Sequence, residues 1–227
     1  MPQETVHLAI YQGLADWEAA LAVAQLNTPE PWQRRPGRYR VRTVAESTEP
    51  VTSMGGVRML ADEQLATLSP ADSAMLILPG SGVWDVGGNT AFAAKAREFA
   101  DAGVPVAAIC AAALGLARAG LLDERDHTGA DRGYLAQSGY AGGERYRDER
   151  VVEDGGIITA GPTESVAFAR AILARLDHYT PEALEALYQL HRTGEARYFH
   201  ELLTHAGAEA ESLHEVLDAG AGARSAP

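Results

Sequence analysis

The sequence has very little cysteine: Cys110 is the only one among 227 residues. A lone thiol cannot form an intramolecular disulfide, and it excludes a zinc site built from several cysteines. No apolar run approaches the roughly 20 residues that a helix needs to cross a bilayer. Residues 1–7 also lack the basic flank and apolar stretch of a secretory signal. We therefore expect a cytoplasmic protein without a membrane partner.

Basic side chains are scarce as well. The 19 Lys and Arg residues are outnumbered by 31 Asp and Glu residues, which gives a formal net charge of −12. A chain of this charge repels a phosphate backbone unless its cations are gathered on one face, so nucleic-acid binding is disfavoured. With 46% hydrophobic and 22% charged residues, the composition is that of a folded domain rather than a disordered segment.

Short apolar segments alternate with helical ones along most of the chain. Strands are predicted at residues 6–11, 39–45, 74–78, 104–109 and 157–160. Helices are predicted at residues 16–26, 91–102, 111–119 and 163–176. This alternation favours an α/β fold with a mainly parallel sheet covered by helices on both faces.

The texture changes after Asp177. Thr180 followed by Pro181 has the form of a helix start, and further helices are predicted at 195–204 and 209–217. About 40 residues rarely sustain a core alone. We therefore divide the chain into a domain at 1–178 and a C-terminal helical extension at 179–227 that ends in a frayed tail.

The most informative segment is the strand at 104–109, because it runs directly into Cys110. The small residues Ala108 and Ala112 allow the strand and the next helix to approach, as in a nucleophile elbow. At the start of that helix a thiol is expected to have a lowered pKa and to be ionised. The alternative is a buried structural thiol that only packs.

Two other strand ends lie in the same predicted sheet. The turn after residue 78 contains Gly80, Ser81 and Gly82, where the backbone N–H groups of Ser81 and Gly82 are candidate donors to a developing oxyanion. An ordinary strand exit is the alternative for this turn. After the first strand comes Glu18; a carboxyl group there that reaches Cys110 would serve as a general acid or base.

These segments occur in the order found in the ThiJ/PfpI superfamily, which the chain resembles from residue 6 to 176. The matching motifs lie at residues 13–18, 78–80, 107–111, 119–123 and 159–161. The resemblance implies a flavodoxin-like three-layer sandwich, related to class I glutamine amidotransferase domains and followed here by the helical extension. It also implies a homodimer.

Carried to this chain, the resemblance makes Cys110 the nucleophile or redox-active thiol and Glu18 its hydrogen-bonding partner. Backbone amides near Gly80, Ser81 and Ala111 would form the oxyanion pocket. Proteolytic relatives have a His directly after the nucleophile, where this chain has Ala111. That difference argues against protease activity.

Glutamine hydrolysis is not expected either, because the late loop has Glu164 but no His. Other relatives have a Thr-Thr-His segment beyond the elbow helix. Here His127 stands three positions early; it is the first candidate for a general base, and Asp131 is the second. The alternative for His127 is a polar residue at a strand end.

No cofactor is expected. His200 and His205 are five residues apart, which is off the spacing that puts two ligands on one helical face, so no metal is expected. The sequence thus favours a cysteine-dependent hydrolase, lyase or hydratase acting on a small electrophile. The alternatives are a redox-sensing or stress-response protein that works through oxidation of Cys110, and a non-catalytic binding module.

Overall fold

The computed structural model describes residues 3–206 and contains a seven-stranded sheet with the strand order β5-β2-β1-β6-β7-β9-β8. Its strands are β1 (Glu4–Ala9), β2 (Tyr39–Ala45), β5 (Glu63–Gln64), β6 (Met75–Leu78), β7 (Val106–Ile109), β8 (Val151–Asp154) and β9 (Ile157–Ala160). Every neighbouring pair is parallel except β8 and β9, which form an antiparallel hairpin. A separate small hairpin joins β3 (Val51–Thr52) to β4 (Arg58–Met59). The predicted mainly parallel sheet is confirmed.

Helices cover both faces of this sheet. They are α1 (Asp16–Asn27), α2 (Gly82–Asp85), α3 (Thr90–Asp101), α4 (Ala111–Arg118), α5 (Arg132–Ala136), α6 (Ser165–Arg175), α7 (Pro181–Thr193) and α8 (Ala196–Leu203). One core cluster packs α2, α3 and α4 against the sheet, and a second packs α1, α6, α7 and α8 against its other face. The three-layer α/β sandwich is therefore as expected.

The helices after residue 178 extend one of these layers. Thr180 caps α7 by accepting a hydrogen bond from the N–H of Ala183 at 3.2 Å. Leu184 and Leu187 are buried in the same cluster as Phe168 of α6. The extension therefore shares the core of the preceding residues, while the boundary at 178 stays a prediction. The predicted helix at 209–217 and the predicted tail lie outside the described residues.

Within residues 3–206, no helix is both long and apolar enough to cross a membrane.

Gly115 allows α4 to pack closely on Trp84. A Cβ at this position would lie 2.2 Å from two carbons of the buried Trp84 ring. We expect Gly115→Ala to lower the free energy of unfolding by roughly 1 to 2 kcal/mol, because moving the indole outweighs the gain of about 1 kcal/mol in helix propensity. Urea unfolding measures this.

The control is Gly143→Ala, because a Cβ there would meet no atom within 4 Å. This variant should leave the urea midpoint of unfolding nearly unchanged. An equal loss of unfolding free energy in the two variants would contradict the packing argument.

Candidate active site

Cys110 lies on a sharp bend between β7 and α4. Its φ of 60° and ψ of −128° belong to a region that residues with a side chain seldom adopt, and it is one of three non-glycine residues with positive φ among residues 3–206. Such backbone strain, of order 1–3 kcal/mol, persists where the surrounding structure enforces it and is common at functional sites. The side chain is partly exposed. The sharp strand-to-helix bend that the sequence predicts is present, and its role as a nucleophile elbow stays a prediction.

Glu18 reaches the elbow from the first turn of α1. Its side chain is buried, with 1% exposure for the residue. Oε2 accepts a hydrogen bond from the backbone N–H of Gly80, while Oε1 has no hydrogen-bond partner among the described residues. The structure brings Glu18 and Cys110 together: the ideal Cβ position of Gly80 lies 2.9 Å from Glu18 Oε2 and 3.1 Å from Cys110 Sγ.

Gly80 has a different role from the one expected. Its N–H is engaged by Glu18, so it is not free to stabilise an oxyanion as the resemblance implied. A side chain at this position would meet Cys110 Cβ and Glu18 Oε2, each at 2.9 Å. Glycine is required because the Glu18 carboxyl and the Cys110 side chain occupy the space that a Cβ would need.

The protonation of the pair differs from the expectation of an ionised thiol. The pKa of Cys110 is raised to about 12, first by burial and then by the negative charge of Glu18, and only partly offset by the N–H of Ala111. The expected low pKa is therefore wrong, because burial and the carboxylate outweigh the helix terminus. Burial also raises the pKa of Glu18, against hydrogen bonds from Gly80 and the Cys110 thiol. The raised pKa of Cys110 keeps the thiol protonated at neutral pH, and the raised pKa of Glu18 makes its carboxyl group a better proton acceptor than an exposed one.

Alkylation kinetics test this protonation state. The rate constant for iodoacetamide should still be rising at about pH 10, where an ordinary thiol with a pKa of about 8.5 has levelled off, because the raised pKa of Cys110 delays formation of the thiolate. Free glutathione measured in parallel is the reference. A plateau below pH 8 would show an ionised resting thiol and overturn the assignment.

Ala111 directly follows the bend, and Ser81 lies in the turn after β6, next to Gly80. The Ser81 hydroxyl donates to the carbonyl of Gln12 at 2.7 Å and accepts from the N–H of Val83 at 3.1 Å, which caps α2. Among residues 3–206 the Ser81 N–H donates to no protein group. The Ala111 N–H contacts the Cys110 sulfur. The Ser81 amide is therefore free to bind an anionic oxygen, whereas the Ala111 amide has to leave the sulfur to do so.

His127 and Asp131 have partners other than the thiol. The His127 ring is fully buried, with Nδ1 2.8 Å from the carbonyl oxygen of Arg125 and Nε2 2.8 Å from the Tyr140 hydroxyl. Asp131 caps α5 through the N–H of Tyr134 at 2.8 Å. No hydrogen bond from either residue to Cys110 occurs among the described residues. No contact between His127 and Cys110 supports His127 as the general base, so that role stays a prediction.

Two neighbours of the thiol were missed by the sequence reasoning. The Tyr134 hydroxyl donates to the carboxylate of Asp85. The charge of Asp85 contributes to the raised pKa of Cys110, and burial, Asp85 and Cys110 together raise the pKa of Tyr134. Both residues lie on short helices, α2 and α5. Helices of this length are too short to show a periodic pattern of apolar residues in the sequence.

A metal site is not apparent in the part of the chain that the structure describes, since no group of three or more His, Cys, Asp or Glu side chains there is suited to hold an ion.

The sequence model of the DJ-1/PfpI family matches residues 4–175. The chain belongs to the DJ-1/PfpI family. This match extends from β1 to the end of α6 and so includes the elbow, Glu18 and the Gly80 turn. The ThiJ/PfpI resemblance drawn from the motifs is confirmed.

Relatives cover more of the chain than the family model does. A Bacillus subtilis protein named "Uncharacterized protease YoaZ" is 30% identical over 205 residues, which is 89% of this chain and 98% of the relative. A second B. subtilis protein, "Uncharacterized protease YdeA", is 31% identical and covers 79% of this chain and 87% of its own length.

Two solved structures of DJ-1/PfpI proteins are also similar. A thiJ/pfpI family protein from Bacillus anthracis aligns with a TM-score of 0.81 and 31% identity, over 90% of this chain and 98% of that one. A DJ-1 superfamily protein from Agrobacterium tumefaciens aligns with a TM-score of 0.75 and 32% identity, over 85% and 100%. The fold is therefore shared over nearly the full length of both.

Proposed function

We propose that this DJ-1/PfpI family member is a cysteine-dependent enzyme that acts on a small electrophile, such as an aldehyde, an isonitrile or an amide. One observation carries the proposal: a strained bend holds Cys110, a partly exposed residue, with its sulfur beside the buried carboxyl group of Glu18. A nucleophile next to a proton acceptor is the minimum that covalent catalysis needs.

The raised pKa values of the pair suit proton transfer during the reaction. As the Cys110 sulfur attacks an electrophilic carbon, its proton passes to the Glu18 carboxylate, which is therefore neutral in the intermediate. The negative charge appears on the heteroatom of the substrate, and we assign its stabilisation to the N–H groups of Ser81 and Ala111. For an amide, Glu18 gives this proton to the leaving nitrogen as the carbon–nitrogen bond breaks, which leaves a thioester on Cys110. Water then attacks the thioester carbon, Glu18 accepts a proton from the water, and the carbon–sulfur bond breaks as the sulfur regains a proton from Glu18.

Enzymatic turnover is favoured over redox sensing by the same protonation state. A sensor cysteine needs a thiolate at rest, because the thiolate and not the thiol reacts with peroxide. The pKa of about 12 for Cys110 keeps the thiolate fraction small. A bound electrophile does not require a resting thiolate, since Glu18 removes the proton in the same step.

Proteolysis and glutamine hydrolysis are not part of the proposal. The B. subtilis relatives are named proteases, but Ala111 follows Cys110 in this chain, and Glu164 has no His beside it. Glu164 instead pairs with Arg150 at 3.2 Å. A single Cys–Glu pair suits small reactive compounds better than a stable amide in a protein chain.

A cytoplasmic homodimer is included in the proposal. The β3–β4 hairpin exposes Met54, Val57 and Leu60, each more than half exposed, near the start of α1. Apolar side chains grouped on a small hairpin are suited to cover against a second copy. Sedimentation of the pure protein measures the oligomeric state.

A panel of small electrophiles tests the enzyme. Aldehydes, isonitriles and short amides are incubated with the protein, and both consumption of the compound and the mass of the intact chain are followed. We expect one class to be consumed catalytically and to leave a transient adduct on Cys110. Peroxide oxidation of Cys110 faster than that of glutathione, without turnover of any compound, would instead support the sensor.

A further inference from the structure

A second cluster of reactive side chains lies on the part of the sheet that contains β5, β1 and the start of β6. Ser73 comes just before β6 begins, whereas Gly80 and the elbow follow the carboxyl ends of β6 and β7. Beside Ser73 are His7 of β1 and Glu63 of β5. None of these three residues takes part in the chemistry proposed for Cys110.

The three side chains form a connected row. Ser73 Oγ lies 2.7 Å from His7 Nδ1, and His7 Nε2 lies 3.6 Å from Glu63 Oε2. With the Nε2 proton facing the carboxylate, Nδ1 has a lone pair for the serine proton, and the carbonyl oxygen of Met75 at 3.1 Å is the second, more distant acceptor of the Ser73 hydroxyl. Arg42 holds the carboxylate in place through a 2.8 Å contact of its Nε with Glu63 Oε1.

The row opens on a cavity of about 550 Å³, which His7, Ser73 and Glu63 help to line. The lining is mostly polar and includes Arg40 and Asp72 as further charged groups. The Nε of Arg40 donates to Thr5 at 3.0 Å. Among residues 3–206 no carboxylate lies within 4.0 Å of the Arg40 guanidinium, so its remaining N–H groups can contact a ligand oxygen.

We propose that Ser73, His7 and Glu63 form a second nucleophilic site, which accepts acyl groups from small, short-chain esters. The Ser73 oxygen bonds to the ester carbonyl carbon while its proton passes to His7 Nδ1. The bond from that carbon to the leaving oxygen breaks, and the leaving alcohol takes the proton from His7. Water then releases the acyl group by the same route, with His7 as base.

The surroundings of His7 agree with this role. The ring is 1% exposed, and burial lowers its pKa against the raising effects of Glu63 and Asp72. A neutral imidazole is the form that accepts the serine proton. The imidazolium that results lies beside Glu63, whose carboxylate balances the charge. The polar lining favours short acyl chains over long ones.

Acetylation by p-nitrophenyl acetate tests the site in the Cys110→Ala protein, where the other nucleophile is removed. We expect a burst of p-nitrophenolate and an acetyl group located on Ser73 by peptide mass spectrometry. His7→Gln, which removes the base, should slow acetylation roughly 100-fold. Glu63→Gln should slow it less, since it removes only the charge that balances the imidazolium.

Ser69 is the internal control, because its hydroxyl accepts from the N–H of Ala71 and has no histidine partner. Comparing Ser73 with Ser69 in one folded protein needs no variant at either position. Acetylation of Ser73 no faster than that of Ser69 would overturn the proposal. So would an unchanged rate in a folded His7→Gln or Glu63→Gln protein, with folding checked by circular dichroism.

Discussion

Replacing Cys110 by Ala is expected to remove turnover of any electrophile that the wild-type protein consumes, with kcat/KM falling roughly a thousand-fold or more. Cys110 is the only cysteine, and no other nucleophilic group proposed for this site lies beside Glu18 among the described residues. Losing the nucleophile removes the covalent route entirely, whereas binding of the electrophile is retained. Steady-state kinetics on the compound identified by the panel measure the effect.

Cys110→Gly is the matched control for this variant. Both replacements lack the sulfur, but only glycine adopts the φ of 60° without strain. Both should be inactive, and the glycine protein should be more stable than the alanine protein by about 1 kcal/mol. Activity that survives in Cys110→Ala would move the chemistry to another residue.

The fold was predictable because its signals are local and repeated. The alternating strand at residues 39–45 and the helix at 111–119 are long enough for their patterns to be recognised, and the observed bounds differ from the predicted ones by at most a residue. The two-residue strand β5 and the short helices α2 and α5 are held by tertiary contacts instead. For example, Glu63 pairs with Val44 of β2, which is too distant along the chain for a local sequence pattern to reveal the pairing.

The candidate site was predictable only in part, for the same reason. The place of Cys110 and of Glu18 follows from strand order, because the carboxyl ends of parallel strands meet at one edge. The partner of His127 could not be predicted in this way, because Tyr140 lies 13 residues away in a loop. Its hydroxyl contacts the ring nitrogen Nε2, which a general base would need free. The thiol pKa was missed because sequence shows a helix start but not the burial of the sulfur or its closeness to a carboxylate.

Glu18→Gln is expected to lower kcat roughly 100-fold, because an amide cannot take the thiol proton. Glutamine has nearly the same shape and keeps an oxygen that accepts the Gly80 N–H. Removing the negative charge also removes one cause of the raised pKa of Cys110. Alkylation at neutral pH should therefore become faster while turnover becomes slower.

Faster alkylation together with slower turnover distinguishes a residue that carries the proton from one that only supports the fold. Asp16→Asn is the matched control: it lies on the same helical turn, and its carboxylate holds the N–H of Gly55 at 2.7 Å rather than the thiol. That variant should leave both rates close to wild type. If Glu18→Gln slowed alkylation and turnover together, the carboxyl group would be holding the elbow in shape, and the proton would have to be carried by another group beside the sulfur.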